Sequence, residues 1–130
     1  MSRRYLVAAL IVWAGLLISQ SSVRAQQPVF LSAIEDLPVM PGLVEKTDSA
    51  LSFETASGRI VEIAVSGPVT ATAVADYYRR TLPQLGWTLL SASASAFARE
   101  QEVLVIDIFE ADPAVGIVEV HFRLSPKAGK

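Results

Sequence analysis

Polar and apolar residues alternate along two short runs in the middle of the chain, at residues 50–55 and 59–66. A period of two is typical of β-strands that bury one face. Ser57 and Gly58 stand between the runs, and two alternating runs joined by a glycine turn predict a β-hairpin. A short edge strand could precede the hairpin at residues 43–47.

A helical period of 3.6 residues replaces the alternation between residues 70 and 85. Thr70 is a suitable N-cap, because its hydroxyl can accept a hydrogen bond from an N–H of the first turn. Apolar residues then recur on what would be one face of a helix; they are Ala71, Val74, Ala75, Tyr78, Leu82 and Leu85. The pattern therefore predicts one helix at about residues 70–85.

The period of two returns after the helix, in runs at 87–91, 96–100, 103–109 and 117–124. The run VLVIDIF at 103–109 is apolar on both faces, which is typical of a central strand. Together the elements predict an α+β fold in the order β-β-α-β-β-β-β, with an antiparallel sheet of about five or six strands and the helix packed on one face. One helix cannot cover both faces, so the other face would be left to the N-terminal arm, to water or to a partner.

Leu82, Pro83, Gly86 and Trp87 have the offsets of a helix-stop motif. Pro83 lacks an N–H and disfavours helical geometry at the residue before it, so residues 82–85 should form a kink or a tightened turn. Gly86 would take the left-handed conformation that ends many helices, and Trp87 would bond and pack back onto Leu82. The stretch YYRRTLPQLGW is therefore interpreted as a folding signal and not as a binding motif.

The first 25 residues have the three parts of a secretory signal peptide. Arg3 and Arg4 form a basic start, an uncharged apolar run follows at 5–18, and Ala25 ends a polar stretch suited to cleavage. An uncleaved anchor is the alternative, but the apolar run is shorter than the roughly 20 residues that a spanning helix needs. The sequence predicts an exported protein, periplasmic or secreted, cleaved after Ala25, with the general and twin-arginine routes both open.

Cleavage would leave an extended N-terminal arm at 26–42, a single domain at 43–126 and a short tail at 127–130. The chain has no cysteine, which excludes disulfides and a lipid-modified cysteine. Because cleavage would remove the apolar run at 5–18, no membrane span is expected after it. Removal of residues 1–25 takes away three of the eleven basic residues and no acid, which leaves eight against thirteen acidic residues and a net charge of −5. This negative charge argues against nucleic acid as a partner.

Two stretches, LPVMPG at 37–42 and YYRRTLPQLGW at 77–87, resemble a widespread family of small exported bacterial domains of unknown function. Its members carry a P-x-x-P-G segment before the domain, then an aromatic pair and an L-P-x-x-G-W end to the single helix. The resemblance covers about residues 35–126. It implies an α+β fold and a location in the bacterial envelope, and it carries over no catalytic residues.

One constellation could carry chemistry. His121 is the only histidine, and Glu119 and Arg123 lie two residues away on the same face of the last strand. Asp107 or Glu62 could join them from a neighbouring strand, although the simpler interpretation is an exposed histidine among solvated charges. A catalytic metal site generally needs three protein ligands, and the chain contains no phosphate loop, dinucleotide fingerprint or nucleophile elbow. We therefore predict no cofactor, no metal and no catalytic residues.

Two functional hypotheses follow from these patterns. The first is a non-catalytic binding or structural module of the envelope, which uses the helix-free sheet face or the N-terminal arm against a protein partner. The alternative is a small hydrolase or ligand-binding enzyme centred on His121. The sequence leaves the partner, the ligand and the oligomeric state open.

Overall fold

A computed structural model describes residues 27–128, and it confirms an α+β fold with one helical segment and an open antiparallel sheet. The strands are β1 (Val44–Glu45), β2 (Leu51–Thr55), β3 (Gly58–Gly67), β4 (Thr88–Ser91), β5 (Ala96–Arg99), β6 (Glu102–Asp112) and β7 (Ile117–Pro126). The helix α1 (Ala71–Thr81) continues into a 3-10 helix, Leu82–Leu85. The predicted signal peptide and its cleavage point lie outside the described residues. No helix within 27–128 is long and apolar enough to cross a membrane.

Within residues 27–128 the sheet contains seven strands, where the pattern predicts about five or six. The two-residue β1 and the five-residue β2 both pair with the same edge of β3, and the sheet continues in the order β3-β7-β6-β5-β4. All of these pairs are antiparallel. The longest register joins β6 to β7, from Glu102 opposite Pro126 to Asp112 opposite Ile117. Strand β6 therefore has the central position that its apolar sequence predicts.

The helix α1 begins and ends with backbone groups that are satisfied locally. At its start, the Thr70 hydroxyl accepts a hydrogen bond of 3.1 Å from the Ala73 N–H, which is the bond that an N-cap makes. At its end, the chain tightens into the 3-10 turn that contains Pro83. The helix is thus bounded by residues whose chemistry the sequence displays.

The chain leaves the 3-10 turn through a left-handed residue. Gly86 has a φ of 87°, a conformation that strains residues with a Cβ. The Gly86 N–H donates to the Pro83 carbonyl at 3.3 Å, and the Trp87 N–H donates to the Leu82 carbonyl at 3.1 Å. These two bonds make up a Schellman motif. Trp87 then enters the core, where it is 3 % exposed.

The N-terminal arm forms a closed loop and not the extended segment that its prolines suggest. Its two ends bridge at Phe30 and Pro38. The Leu31 N–H donates to the Leu37 carbonyl at 2.9 Å, which closes the loop between them. Leu31, Ile34 and Leu37 are all buried. Burial of three side chains along seven residues requires such a reversal, because an extended arm would point them in different directions.

The arm lies on the same side of the sheet as the helix. The Tyr78 hydroxyl, on α1, donates to the Pro38 carbonyl at 2.9 Å and accepts from the Met40 N–H at 3.2 Å. Burial raises the pKa of the Tyr78 phenol, so the hydroxyl stays protonated and able to donate. The N-terminal arm therefore covers the helix side of the sheet and leaves the opposite side uncovered.

A second contact joins the arm to the helix end and to β5. The Arg99 guanidinium donates to the Asp36 carboxylate and, at 3.1 Å, to the Leu85 carbonyl. It also lies 4.3 Å from the centre of the Trp87 ring, within cation–π range. The hydrogen bond from Arg99 lowers the pKa of the Asp36 carboxyl.

One hydrophobic core lies between the sheet and the layer formed by helix and arm. Its strand residues alternate on β3 and β7 as predicted, and β5 and β6 add to them; they are Val61, Ile63, Val65, Phe97, Leu104, Ile106, Val118, Val120, Phe122 and Leu124. The helix contributes Val74, Tyr78 and Leu82, and the arm contributes Leu31, Ile34, Leu37 and Val39. The arm is therefore part of the same core as the region 43–126.

Candidate functional site

The face of the sheet that points away from the helix has no covering layer among residues 27–128. We call it the open face. It is formed by the outward side chains of β2, β3, β6 and β7, with one lysine reaching it from beyond β1. Its charged members are Lys46, Glu62, Asp107, Glu119, His121 and Arg123, and its large apolar members are Leu51, Phe53 and Phe109.

The alternation of β7 places Glu119, His121 and Arg123 on this face. Strand register then decides what lies beside them. Asp107 on β6 is directly opposite His121. Glu62 on β3 is directly opposite Arg123. The four residues that the sequence groups as a polar cluster, His121, Glu119, Arg123 and Asp107, therefore come together on the open face.

Charged side chains of both signs form two ion-paired groups in a row across the open face. The Lys46 ammonium lies 2.7 Å from the Glu119 carboxylate, which also bonds the His121 ring through Nε2. Further along, the Arg123 guanidinium lies 3.2 Å from Glu62 and 3.9 Å from Asp107. Exposed ion pairs of this kind contribute little to stability, about 0–1 kcal/mol each. The row therefore contributes little to holding the fold.

Glu119 is the most constrained charge in the row. Its side chain is 21 % exposed, against 48 % for His121. The hydrogen bond from Lys46, and then that from His121, lowers the pKa of the Glu119 carboxyl. A carboxylate held ionised in this way accepts hydrogen bonds and fixes the ring of His121, but it does not donate a proton near neutral pH.

Exposed apolar side chains flank the charged row on both sides. Phe109 on β6 is 51 % exposed, and its ring packs edge-on against His121 with 5.1 Å between ring centres. Phe53 and Leu51 on β2 are 52 % and 47 % exposed. Large aromatic side chains at the edge of a polar row are typical of protein-binding surfaces.

One member of the row, Lys46, is not among the residues that the sequence pattern brings to His121. Lys46 follows the two-residue strand β1, and its position depends on the bond from its N–H to the Ala64 carbonyl at 2.9 Å. That contact has no local signature in the sequence. Glu62 does lie on the neighbouring strand β3, as the sequence allows, but its pairing with Arg123 depends on the order of the strands.

Two cavities lie away from the charged row. A groove of about 350 Å³ runs between the start of α1 and the β6–β7 turn, and is lined by residues that include Val69, Thr72, Glu110 and Ile117. A much smaller cleft lies under the helix, beside Tyr78 and Ile106. Neither lining includes His121 or its ion-pair partners.

The open face presents charged and hydrogen-bonding side chains that are not arranged as metal ligands. Within residues 27–128, no group of three His, Asp or Glu side chains is arranged to hold a metal ion. The described side chains can present both signs of charge, one imidazole and aromatic edges to an approaching surface. This arrangement suits recognition of another molecule.

Comparisons with known proteins add no relatives: no protein-family model, no curated protein and no solved structure matches this chain.

Proposed function

We propose that this protein is a non-catalytic binding module of the bacterial envelope, and that it binds a protein partner through the open face. One observation carries the proposal. The helix and the N-terminal arm lie on the same side of the sheet, so the row of charges and its flanking Phe53 and Phe109 stay exposed. Surfaces that combine exposed aromatics with charges are more typical of interfaces than of inert protein surface.

The chemistry of the open face defines the class of partner. Its charges are of both signs, so a complementary surface must also present both signs, which polyanions such as nucleic acid do not. Phe109, which packs against His121, would provide a buried anchor of such a contact. A folded protein surface with both charges and apolar pockets meets these requirements.

The location in the envelope belongs to the proposal as well. It is supported by the basic start, the uncharged run at 5–18 and the small residues before Gln26. The resemblance to small exported bacterial domains supports the same location. Export with cleavage after Ala25 would be tested by N-terminal sequencing of the protein recovered from the envelope or the medium, where Gln26 is the expected first residue.

Charge reversal on the open face tests the binding function. Arg123→Glu would place a third carboxylate beside Glu62 and Asp107, so partner recovery in a crosslinking pull-down from envelope extracts should fall at least tenfold. Arg80→Glu is the matched control, because Arg80 is an exposed arginine on the helix side of the sheet. Equal recovery with both variants would contradict a binding role for the open face.

An enzyme or ligand-binding protein centred on His121 is the second candidate. The observation that favours it is the Glu119 carboxylate, which orients the imidazole through Nε2, as acidic residues orient histidine bases in hydrolases. This candidate predicts that His121→Ala abolishes a measurable hydrolysis of esters or a ligand-induced shift of the melting temperature. A variant that retains both would exclude it.

A further inference from the structure

The edges of the sheet differ in how well they are protected from pairing with another chain. Strand β4 forms one edge, and a bulge between Leu89 and Ser91 interrupts its register with β5. Bulges of this kind discourage the addition of a strand. Strand β2 forms the other edge together with the very short β1. Strand β2 has no proline and no irregularity in its register with β3, and all five of its residues are exposed.

The backbone of β2 presents hydrogen-bonding groups on its outer edge. Strand β3 directs the backbone of Ala64 toward the β2 side, where its carbonyl accepts from Lys46 and its N–H donates to the Ser49 hydroxyl. By alternation, the backbone N–H and C=O groups of Ile60 and Glu62 also point toward β2. Their partners Phe53 and Leu51 must therefore direct their backbone N–H and C=O groups inward, toward β3.

The remaining β2 residues point their backbone groups outward. These are Ser52 and Glu54, which present two N–H donors and two carbonyl acceptors at the rim of the sheet. No strand of the described chain pairs with that rim. Exposed, unpaired edges of this type are templates for strand addition.

We propose that β2 pairs in antiparallel fashion with β2 of a second copy of this chain, about a two-fold axis at Phe53. In this register Ser52 lies opposite Glu54 of the partner copy, and all four outward backbone groups of each strand bond. A two-fold axis at Glu54 would instead place two carboxylates opposite each other, which is unfavourable. An axis at Ser52 would place Glu54 opposite Ala50, outside β2, and so leave the outward groups of Glu54 without a partner strand.

The side chains favour the same register. Phe53 would lie directly opposite Phe53 of the second copy, and the two residues would not exchange backbone hydrogen bonds. At such pairs the Cα atoms are closest, about 4.5 Å apart. Aromatic pairs at such positions stabilise antiparallel sheets. Pairing would cover the half-exposed Phe53. It would also join the two open faces into one surface that spans both copies, which goes beyond the proposed binding function and does not depend on it.

Disulfide trapping tests the register directly, because the chain has no cysteine of its own. Phe53→Cys should give a covalent dimer under mild oxidation, since the two Cα atoms would lie within disulfide range. Ser52→Cys should stay monomeric, because each Ser52 would lie about two residues along the strand from its copy. Leu90→Cys, an exposed position on the bulged β4 edge, controls for random collision.

Sedimentation of the full-length protein provides the second readout. The unmodified chain should approach twice its monomer mass as its concentration rises toward about 1 mM. Glu54→Pro should remain monomeric with an unchanged near-UV circular dichroism spectrum, because the lost N–H points away from β3. A monomer throughout this range, or oxidation of Phe53→Cys no faster than that of Leu90→Cys, would overturn the proposal. Neither result would affect the binding assay with Arg123→Glu, which measures a different partner.

Discussion

Among residues 27–128, the Tyr78 hydroxyl is the single group that joins the N-terminal arm to the helix through two hydrogen bonds. It serves two backbone groups of the arm at once, the Pro38 carbonyl and the Met40 N–H. Tyr78→Phe would leave both without that partner, and an unsatisfied buried group costs about 1–3 kcal/mol. We expect the free energy of unfolding to fall by this amount in urea denaturation.

The chain provides its own control for Tyr78. Tyr77 is adjacent and half-buried, and its ring contacts Tyr78 edge-on. No hydrogen bond joins its hydroxyl to the described residues. Tyr77→Phe should therefore change the free energy of unfolding by less than about 0.5 kcal/mol. Equal losses from the two variants would show that the Tyr78 hydroxyl does not hold the arm.

Gly86 allows the helix to end where it does. Its φ of 87° lies in the left-handed region, and a Cβ there would stand 3.5 Å from Arg99 Cδ, an ordinary contact. Backbone strain is therefore the main cost of Gly86→Ala, about 1 kcal/mol, or roughly 4–8 °C in melting temperature. Gly86→Asn should lose less, because asparagine tolerates this conformation. Identical melting temperatures for the alanine variant and the unmodified protein would argue against this role of Gly86.

Glu119 should make the stability of the protein depend on acid pH. Its folded-state pKa is lowered from the ordinary value of 4.5, so the unfolded chain takes up its proton first as the pH falls. The stabilisation is complete above pH 4.5 and is lost as the pH falls through the folded-state pKa. Between pH 6 and pH 3, the melting temperature of the Glu119→Gln variant should therefore fall less than that of the unmodified protein.

A second glutamate on the same sheet serves as the reference for this titration. Glu110 is exposed and forms no ion pair with the described residues. Glu110→Gln should keep the full acid sensitivity of the unmodified protein. If Glu119→Gln and Glu110→Gln melt with the same dependence on pH, the contacts from Lys46 and His121 do not stabilise the Glu119 carboxylate.

At the scale of elements, the close approach of two backbone segments ties the end of the arm to the end of β3. A Cβ on Gly67 would stand 2.0 Å from the Gly42 carbonyl oxygen, far inside van der Waals contact. Gly67→Ala must therefore move one segment, at a cost of about 3 kcal/mol or more. Thermal denaturation should show the loss, and Gly116→Ala, whose Cβ would meet nothing within 4 Å, should show a smaller one. The reverse order of the two would contradict this close approach.

The sequence predicts elements that depend on local chemistry and misses those that depend on distant contacts. Thr70 and the Pro83–Trp87 stretch mark the helix, and alternation marks the core side of β3 and β7. The same alternation placed His121 and Arg123 on one face. The position of the arm beside the helix has no such signal, because it depends on Tyr78 and Gly67, which are far away in the chain. Lys46 was missed for the same reason.

At the scale of the whole molecule, the fold divides the sheet into two unlike faces. Helix and arm both cover one face and bury a single core there. The other face carries the charged row and its aromatic borders, and β2 continues it to an unpaired edge. The two proposals use different parts of this side: a protein partner on the face and a second copy at the rim.

Site-specific photo-crosslinking in living cells tests the role of the open face most directly. A photoreactive amino acid would replace Phe109 on the open face and, as the reference, Gln84 on the exposed surface of the helical segment. We predict a discrete crosslinked species with a second protein from position 109 and none from position 84. No adduct from position 109, or the same adducts from both positions, would contradict a binding function for the open face.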